Sequence, residues 1–145
     1  MKNIVIIFFA LFLISCGNKG DNLNSLSESE LSLKIDEYYS QKNIPKTIEA
    51  INLFVEKYPS NPKAPEQLKN LALIYTNDLK DINSAKSQYK KIISLFPKSA
   101  ETPNAYFTLG FIYNNELKDY SNAKYYYEEF IKLFPEHEAV QSAKF

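Results

Sequence analysis

The residues that could do chemistry are few, and their spacing argues against catalysis. His137 is the one histidine, flanked by Glu136 and Glu138 just after Pro135. It has no second His or Cys at ligand spacing, so it does not read as a metal ligand. A loop residue or the cap of a short following helix fits it better. The adjacent carboxylates Asp36-Glu37 and Glu128-Glu129 fall in helical stretches. Neighbours on a helix point about 100° apart, so neither pair can share a proton across a substrate. There is no Gly-x-Ser-x-Gly elbow, no Gly-rich phosphate loop and no Ser/His/Asp set. All 17 basic residues are lysine, balanced by 17 acidic ones. Without arginine the chain lacks the bidentate fork that reads phosphate and guanine, so a nucleic-acid role is not expected. The expectation is a protein that is not an enzyme, takes no small-molecule substrate, and uses neither metal nor cofactor.

The remaining reactive side chain is Cys16, alone and therefore without an internal disulfide. Its context is specific. Lys2 gives a positive start, and Ile4 to Ile14 is an unbroken apolar run of eleven residues. That is short for a permanent span, which needs about 20, and fits the h-region of a secretory signal. Leu13-Ile14-Ser15-Cys16 then resembles the lipobox of bacterial lipoproteins. The resemblance implies diacylglyceryl attachment at Cys16, cleavage before it, and acylation of the new N-terminus. The only non-protein group expected is this covalent lipid. Two or three chains would anchor the protein stably, at about 0.8 kcal/mol per buried methylene. Gly17, and not Asp, follows Cys16, which suggests the outer membrane and its periplasmic face. Residues 1–15 are read as the signal peptide and 16–27 as a flexible lipidated tether, rich in Asn, Ser, Gly and charge.

Beyond the tether one phrase recurs: a helical stretch ending in aromatic-proline. Tyr58-Pro59, Phe96-Pro97 and Phe134-Pro135 stand 38 residues apart. Leu71 and Leu109, Tyr75 and Tyr113, Lys80-Asp81 and Lys118-Asp119, Ala85 and Ala123, and Tyr89 and Tyr127 keep the same step. A fixed period of this size signals stacked helical hairpins. Periodic apolar spacing places them at 28–41 with 45–57, 64–78 with 82–96, and 102–116 with 120–134. Pro45 suits a first helical turn, and Asp81 and Asp119 suit N-caps. Aromatic-Pro ends each pair, because the residue before proline is pushed out of the α region. Residues 136–145 read as a capping stub whose Ala139, Val140, Ala143 and Phe145 cover the last pair.

These spacings resemble the tetratricopeptide repeat. The third unit carries the pattern best, with Tyr106, Leu109-Gly110, Tyr113, Ala123, Tyr127 and Pro135. The second carries Leu68, Leu71-Ala72, Tyr75, Ala85, Tyr89 and Pro97, and the first is degenerate. The period is longer than the family's, with one extra residue between Tyr113 and Ala123 and about three after each proline. The fold expected over 28–145 is an all-α solenoid of three hairpins plus a C-terminal capping segment.

The resemblance also implies a concave face, lined by the first helix of each pair, that binds peptides. Counting from matched positions, it should present Tyr39, Lys69, Leu73, Thr76, Asn77, Phe107, Phe111, Asn114 and Asn115. Phe107 and Phe111, four apart, would form an apolar spot unless the stub covers them. Tyr125-Tyr126-Tyr127 offers either a convex sticky patch or packing between units. The lengthened repeats behind a lipobox are similar to two envelope families. One is the lipoprotein of the outer-membrane β-barrel assembly machine, the other the coordinator of the Tol–Pal system. A pilotin-like escort is a further possibility. The expected partners are other envelope proteins, with the membrane reached through the lipid.

Overall fold

A computed structural model describes residues 22–144. The stretch expected to be a signal peptide at 1–15, Cys16 with the first part of the expected tether at 17–21, and Phe145 lie outside them. Six helices form three antiparallel hairpins: α1 Glu28–Ser40 with α2 Ile44–Lys57, α3 Ala64–Asn77 with α4 Ile82–Leu95, and α5 Glu101–Phe111 with α6 Tyr120–Leu133. The last turn of α5 widens into a π-helical segment, Ile112–Glu116, and short 3₁₀ turns at Leu23–Ser25 and Glu138–Ala143 close the two ends. Among the described residues no helix is long and apolar enough to cross a membrane.

Each helix packs on its hairpin partner and each second helix on the next first helix, so α2 meets α3 and α4 meets α5. The repeat is visible in the burial. Phe54, Ile92 and Phe130 share one repeat position and all are 0% exposed. Thr47, Ala85 and Ala123 share another and are equally sealed, because a small residue lets neighbouring helices approach. Between hairpins, the carbonyls of Tyr58, Phe96 and Phe134 accept from the N–H groups of Asn61, Ser99 and His137. The proline that follows each aromatic thus sits second in a tight turn, where its fixed φ is already suitable.

The hairpin turns repeat as strictly. Lys42, Lys80 and Lys118 are the only non-glycine residues at positive φ among those described, at 57°, 54° and 54°. Each precedes an N-cap: Asn43, Asp81 and Asp119 accept from the N–H of Lys46, Ser84 and Asn122. The first turn is a Schellman closure, with Lys42 N–H to Tyr39 O and Asn43 N–H to Tyr38 O. In the other two units the extra residue widens that closure. Asp81 N–H reaches Tyr75 O, and Asp119 N–H reaches Tyr113 O, one residue further back. In the third unit the insertion spreads as π-type bonding along Ile112–Glu116.

The expected tether needs a correction at its C-terminal end. Residues 22–27 are packed rather than free. Leu23 is 5% exposed and Leu26 packs beside it on the core of the first hairpin. Lys57 Nζ donates to the carbonyls of Asn24 and Leu26 at 2.9 Å each, and Tyr58 Oη donates to Leu26 O at 3.1 Å. Ser27 then opens α1 through a capping box with Glu30. The two leucines cover the outer apolar end of the first hairpin. At the far end the stub does the same, with Val140 and Ala143 buried on Phe130 and Tyr127. Val140 and Ala143 stand 38 residues after Thr102 and Ala105, also buried, so the stub occupies the place of a next first helix.

Candidate functional site

The first helices α1, α3 and α5, expected to line the groove, are not evenly spaced. α3 and α5 touch directly and are tied by Lys69 Nζ to Glu101 Oε1 at 2.7 Å. α1 and α3 make at most marginal contact. The gap between them is a cleft of about 190 Å³ walled by Asp36, Tyr39, Asn70 and Leu73 and floored by Thr47 and Ile51 of α2. Tyr39 is 52% exposed and Leu73 43%. Two residues expected on the groove, from different hairpins, are thus brought to one opening.

The other expected groove residues separate. Lys69 is a strut between units, its ammonium already paired with a largely buried carboxylate. Thr76 is half-buried and donates to Ala72 O. Asn77 is exposed at the end of α3. Phe111 is 47% exposed, but Phe107 is not free beside it. Phe107 sits edge-on to Tyr127 and Phe130, at 5.6 Å from each, in the cluster closed by Val140 and Ala143. The expected Phe107/Phe111 pair is therefore split: the end of the solenoid covers the first and leaves the second open. Asn114 and Asn115 lie in the π-helical segment, where Asn115 Nδ2 donates to Phe111 O at 3.2 Å and Asn114 is half-buried. The widened turn rotates these amides relative to a regular helix, a shift that counting along a 3.6-residue period misses.

On the convex side Tyr126 stacks on Tyr113 at 5.4 Å and 8°, with Lys86 and Lys90 over the Tyr113 ring at 5.2 and 5.7 Å. Burial pushes the Tyr126 hydroxyl above its ordinary pKa. Tyr127 is core, and only Tyr125 of the triplet is exposed. The packing reading of this triplet therefore holds for two of its three members. His137 caps the C-terminal 3₁₀ turn, accepting from Ala139 N–H at Nδ1, and lies edge-on to Phe130 at 5.2 Å. Among the described residues no cluster of His, Cys, Asp or Glu could hold a metal ion.

A larger hollow, about 690 Å³, was not anticipated. It runs along the turn edge between two aromatic-proline turns, walled by Pro59, Pro62, Pro65, Leu95 and Pro97. The repeated Tyr-Pro and Phe-Pro dipeptides were its sequence signal. It is an open trough between parallel turns. The Tyr39–Leu73 cleft is smaller but has a buried floor and walls from two hairpins, the geometry that seats a side chain.

Residues 70–99 and 104–137 match the tetratricopeptide repeat family. The fold is an all-α, tetratricopeptide-like solenoid of helical hairpins. The matched stretches cover most of the second and third hairpins. The first lies outside them but has the same αL lysine, the same N-cap and the same aromatic-proline turn. No curated protein matches the chain. Repeats of this kind mediate protein–protein interaction, and the chain is a scaffold of that class.

Proposed function

We propose that this tetratricopeptide protein is a lipid-anchored scaffold of the cell envelope that holds a partner protein on the concave face of α1, α3 and α5. The observation that carries this reading is the cleft between α1 and α3, where exposed Tyr39 and Leu73 flank a buried floor. An apolar side chain of the partner fills it, with Asn70 and Asp36 at its rim available for hydrogen bonds. Tyr is an effective anchor in such a place, because it offers large contact area with little rotamer entropy to lose. The anchor is Cys16, supported by the preceding apolar run and the lipobox-like Leu13-Ile14-Ser15. The lengthened repeats and their aromatic-proline turns resemble both envelope families, and the lipobox-like stretch favours a role in outer-membrane protein assembly. A Tol–Pal-type coordinator or a pilotin-like escort is the second reading.

The test is a crosslinked pull-down of the tagged full-length protein from membranes, beside Cys16→Ser and a Tyr39→Ala/Leu73→Ala variant. Recovery of an outer-membrane barrel protein, lost in the groove variant, supports the assembly role. Tol–Pal, secretin or pilus components would replace it with the second reading. Undiminished capture by the groove variant would remove the cleft as the binding site. For a recovered partner, truncating two hot-spot side chains should weaken binding by at least about thirtyfold, corresponding to about 2 kcal/mol.

A further inference from the structure

Resting on the lipoprotein reading of Cys16, we infer that the docked segment Leu23–Leu26 is a stand-off device. It shortens the lipid tether to six residues and keeps the aromatic-proline edge of the first hairpin within about 25 Å of the lipid headgroups.

The docking is specific. Leu23 is buried in the first hairpin's core, and the Lys57 ammonium binds two successive parts of the segment, the carbonyls of Asn24 and Leu26. Lys57 also lies over the Tyr58 ring at 5.4 Å, and Tyr58 donates to the same Leu26 carbonyl. Ser27 carries the chain straight into α1 through its capping box. From Leu23 onward the polypeptide is therefore part of the solenoid. Between Cys16 and Leu23 stand residues 17–22. Seven Cα steps span at most about 25 Å. If the segment were free up to α1, the limit would be about 38 Å over eleven steps.

The point of attachment also chooses an edge. Leu23 and Leu26 pack beside Lys57 and Tyr58, at the end of α2 where the first aromatic-proline turn begins. The hairpin turns, with Lys42, Lys80 and Lys118, lie at the opposite end of each helix pair, about 20 Å away for helices of 13 or 14 residues. The surface nearest the bilayer is thus the turn Tyr58–Asn61. The Tyr39–Leu73 cleft, towards the hairpin end, lies farther out but within about 45 Å of the headgroups. A partner that uses this cleft must present its binding segment within that height, as a membrane-resident protein does.

The experiment uses the full-length lipidated protein in phospholipid vesicles carrying a headgroup-linked energy acceptor. Donor probes are placed at Ser60→Cys, on the turn edge, and at Asn83→Cys, near the hairpin edge; both residues are exposed. Transfer from position 60 should be strong and should exceed that from position 83. Inserting ten Gly/Ser residues after Gly20 raises the limit of reach from about 25 to about 60 Å, so transfer from position 60 should fall. Leu23→Asp, which releases the docked segment, should lower it in the same direction. Equal transfer from both positions, or transfer indifferent to the insertion, overturns the inference. Without an added cysteine, Cys16 should resist maleimide. If it reacts, the lipoprotein reading fails and this inference with it. A blocked Cys16 without transfer from position 60 overturns the stand-off alone.

Discussion

At the scale of single residues, two kinds of position set the repeat: those that must be small and those that must turn. Gly110 is the first kind. A Cβ there would stand 2.7 Å from two atoms of the Tyr127 ring and 2.9 Å from a third, the atom that joins the ring to its stem. Ala72 occupies the equivalent place in the second hairpin, fully buried, so a methyl is compatible with the repeat but not with this spacing of α5 and α6. Alanine improves helix propensity by about 1 kcal/mol, while overpacking costs about 1–3 kcal/mol. We expect Gly110→Ala to destabilise by up to about 2 kcal/mol in urea unfolding, and Gly110→Ala/Tyr127→Leu to recover part of the loss through coupling. The three αL lysines are the second kind. An L-residue in αL costs about 1–2 kcal/mol, and glycine returns that at a cost of about 0.5–1 kcal/mol in unfolded-state entropy. Lys80→Gly and Lys118→Gly should each stabilise by about 0.5–1 kcal/mol, whereas Lys80→Ala should be near neutral. Thermal melts of the three variants check this, and a stabilising Lys80→Ala would show that conformation is not the cause.

At the scale of elements, the second helices of the last two hairpins start on carboxylates whose caps are doubly bonded. Asp81 takes the N–H and hydroxyl of Ser84, and Asp119 takes the N–H and side-chain amide of Asn122. These bonds, the side-chain one first, hold both carboxyls below the ordinary aspartate pKa. A depressed folded pKa means the stabilisation is fully present above the unfolded value, near 4, and is lost as pH falls through the folded one. Asparagine caps comparably without titrating. An Asp81→Asn/Asp119→Asn variant should therefore lose less stability than the parent between pH 5 and pH 3, read from urea midpoints. These caps were legible in the sequence because Asp81-x-x-Ser84 and Asp119-x-x-Asn122 repeat at the common period, and every expected helix end lies within about one residue of the observed one except in α5. Two things were not legible. In the first hairpin Tyr38 lies 37 residues before Tyr75, while the turn, Lys42-Asn43, lies 38 before Lys80-Asp81; one residue fewer in the turn hides the common register. Phe107 carries the helical spacing of a groove residue, and only the packing of the stub on α5 and α6 decides that it is covered.

At the scale of the whole molecule, a solenoid has no single centre, and its stability is a chain of nearest-neighbour contacts. Phe54, Ile92 and Phe130 make this testable, since all three are fully buried at one repeat position in successive hairpins. Phe130 also packs on Phe107, Phe134 and His137, all in the last hairpin or the turn after it. Phe130→Ala should cost about 3–5 kcal/mol, but the loss falls on α5, α6 and the stub. The first two hairpins keep each other, with Leu23 and Leu26 sealing the free end of the first. Ile92→Ala removes fewer atoms, at about 2–5 kcal/mol, yet Ile92 belongs to the central cluster that joins α3 and α4 to α5 and α6. Weakening it uncouples both outer hairpins, neither of which buries its apolar face alone. Native-state hydrogen exchange should thus show protection lost first over α5 and α6 in Phe130→Ala, with α1–α4 still protected. In Ile92→Ala protection should fall along the whole array together. Loss confined to α3 and α4 in Ile92→Ala would mean that the terminal hairpins fold independently, and that the docked leucines and the C-terminal stub suffice to close them.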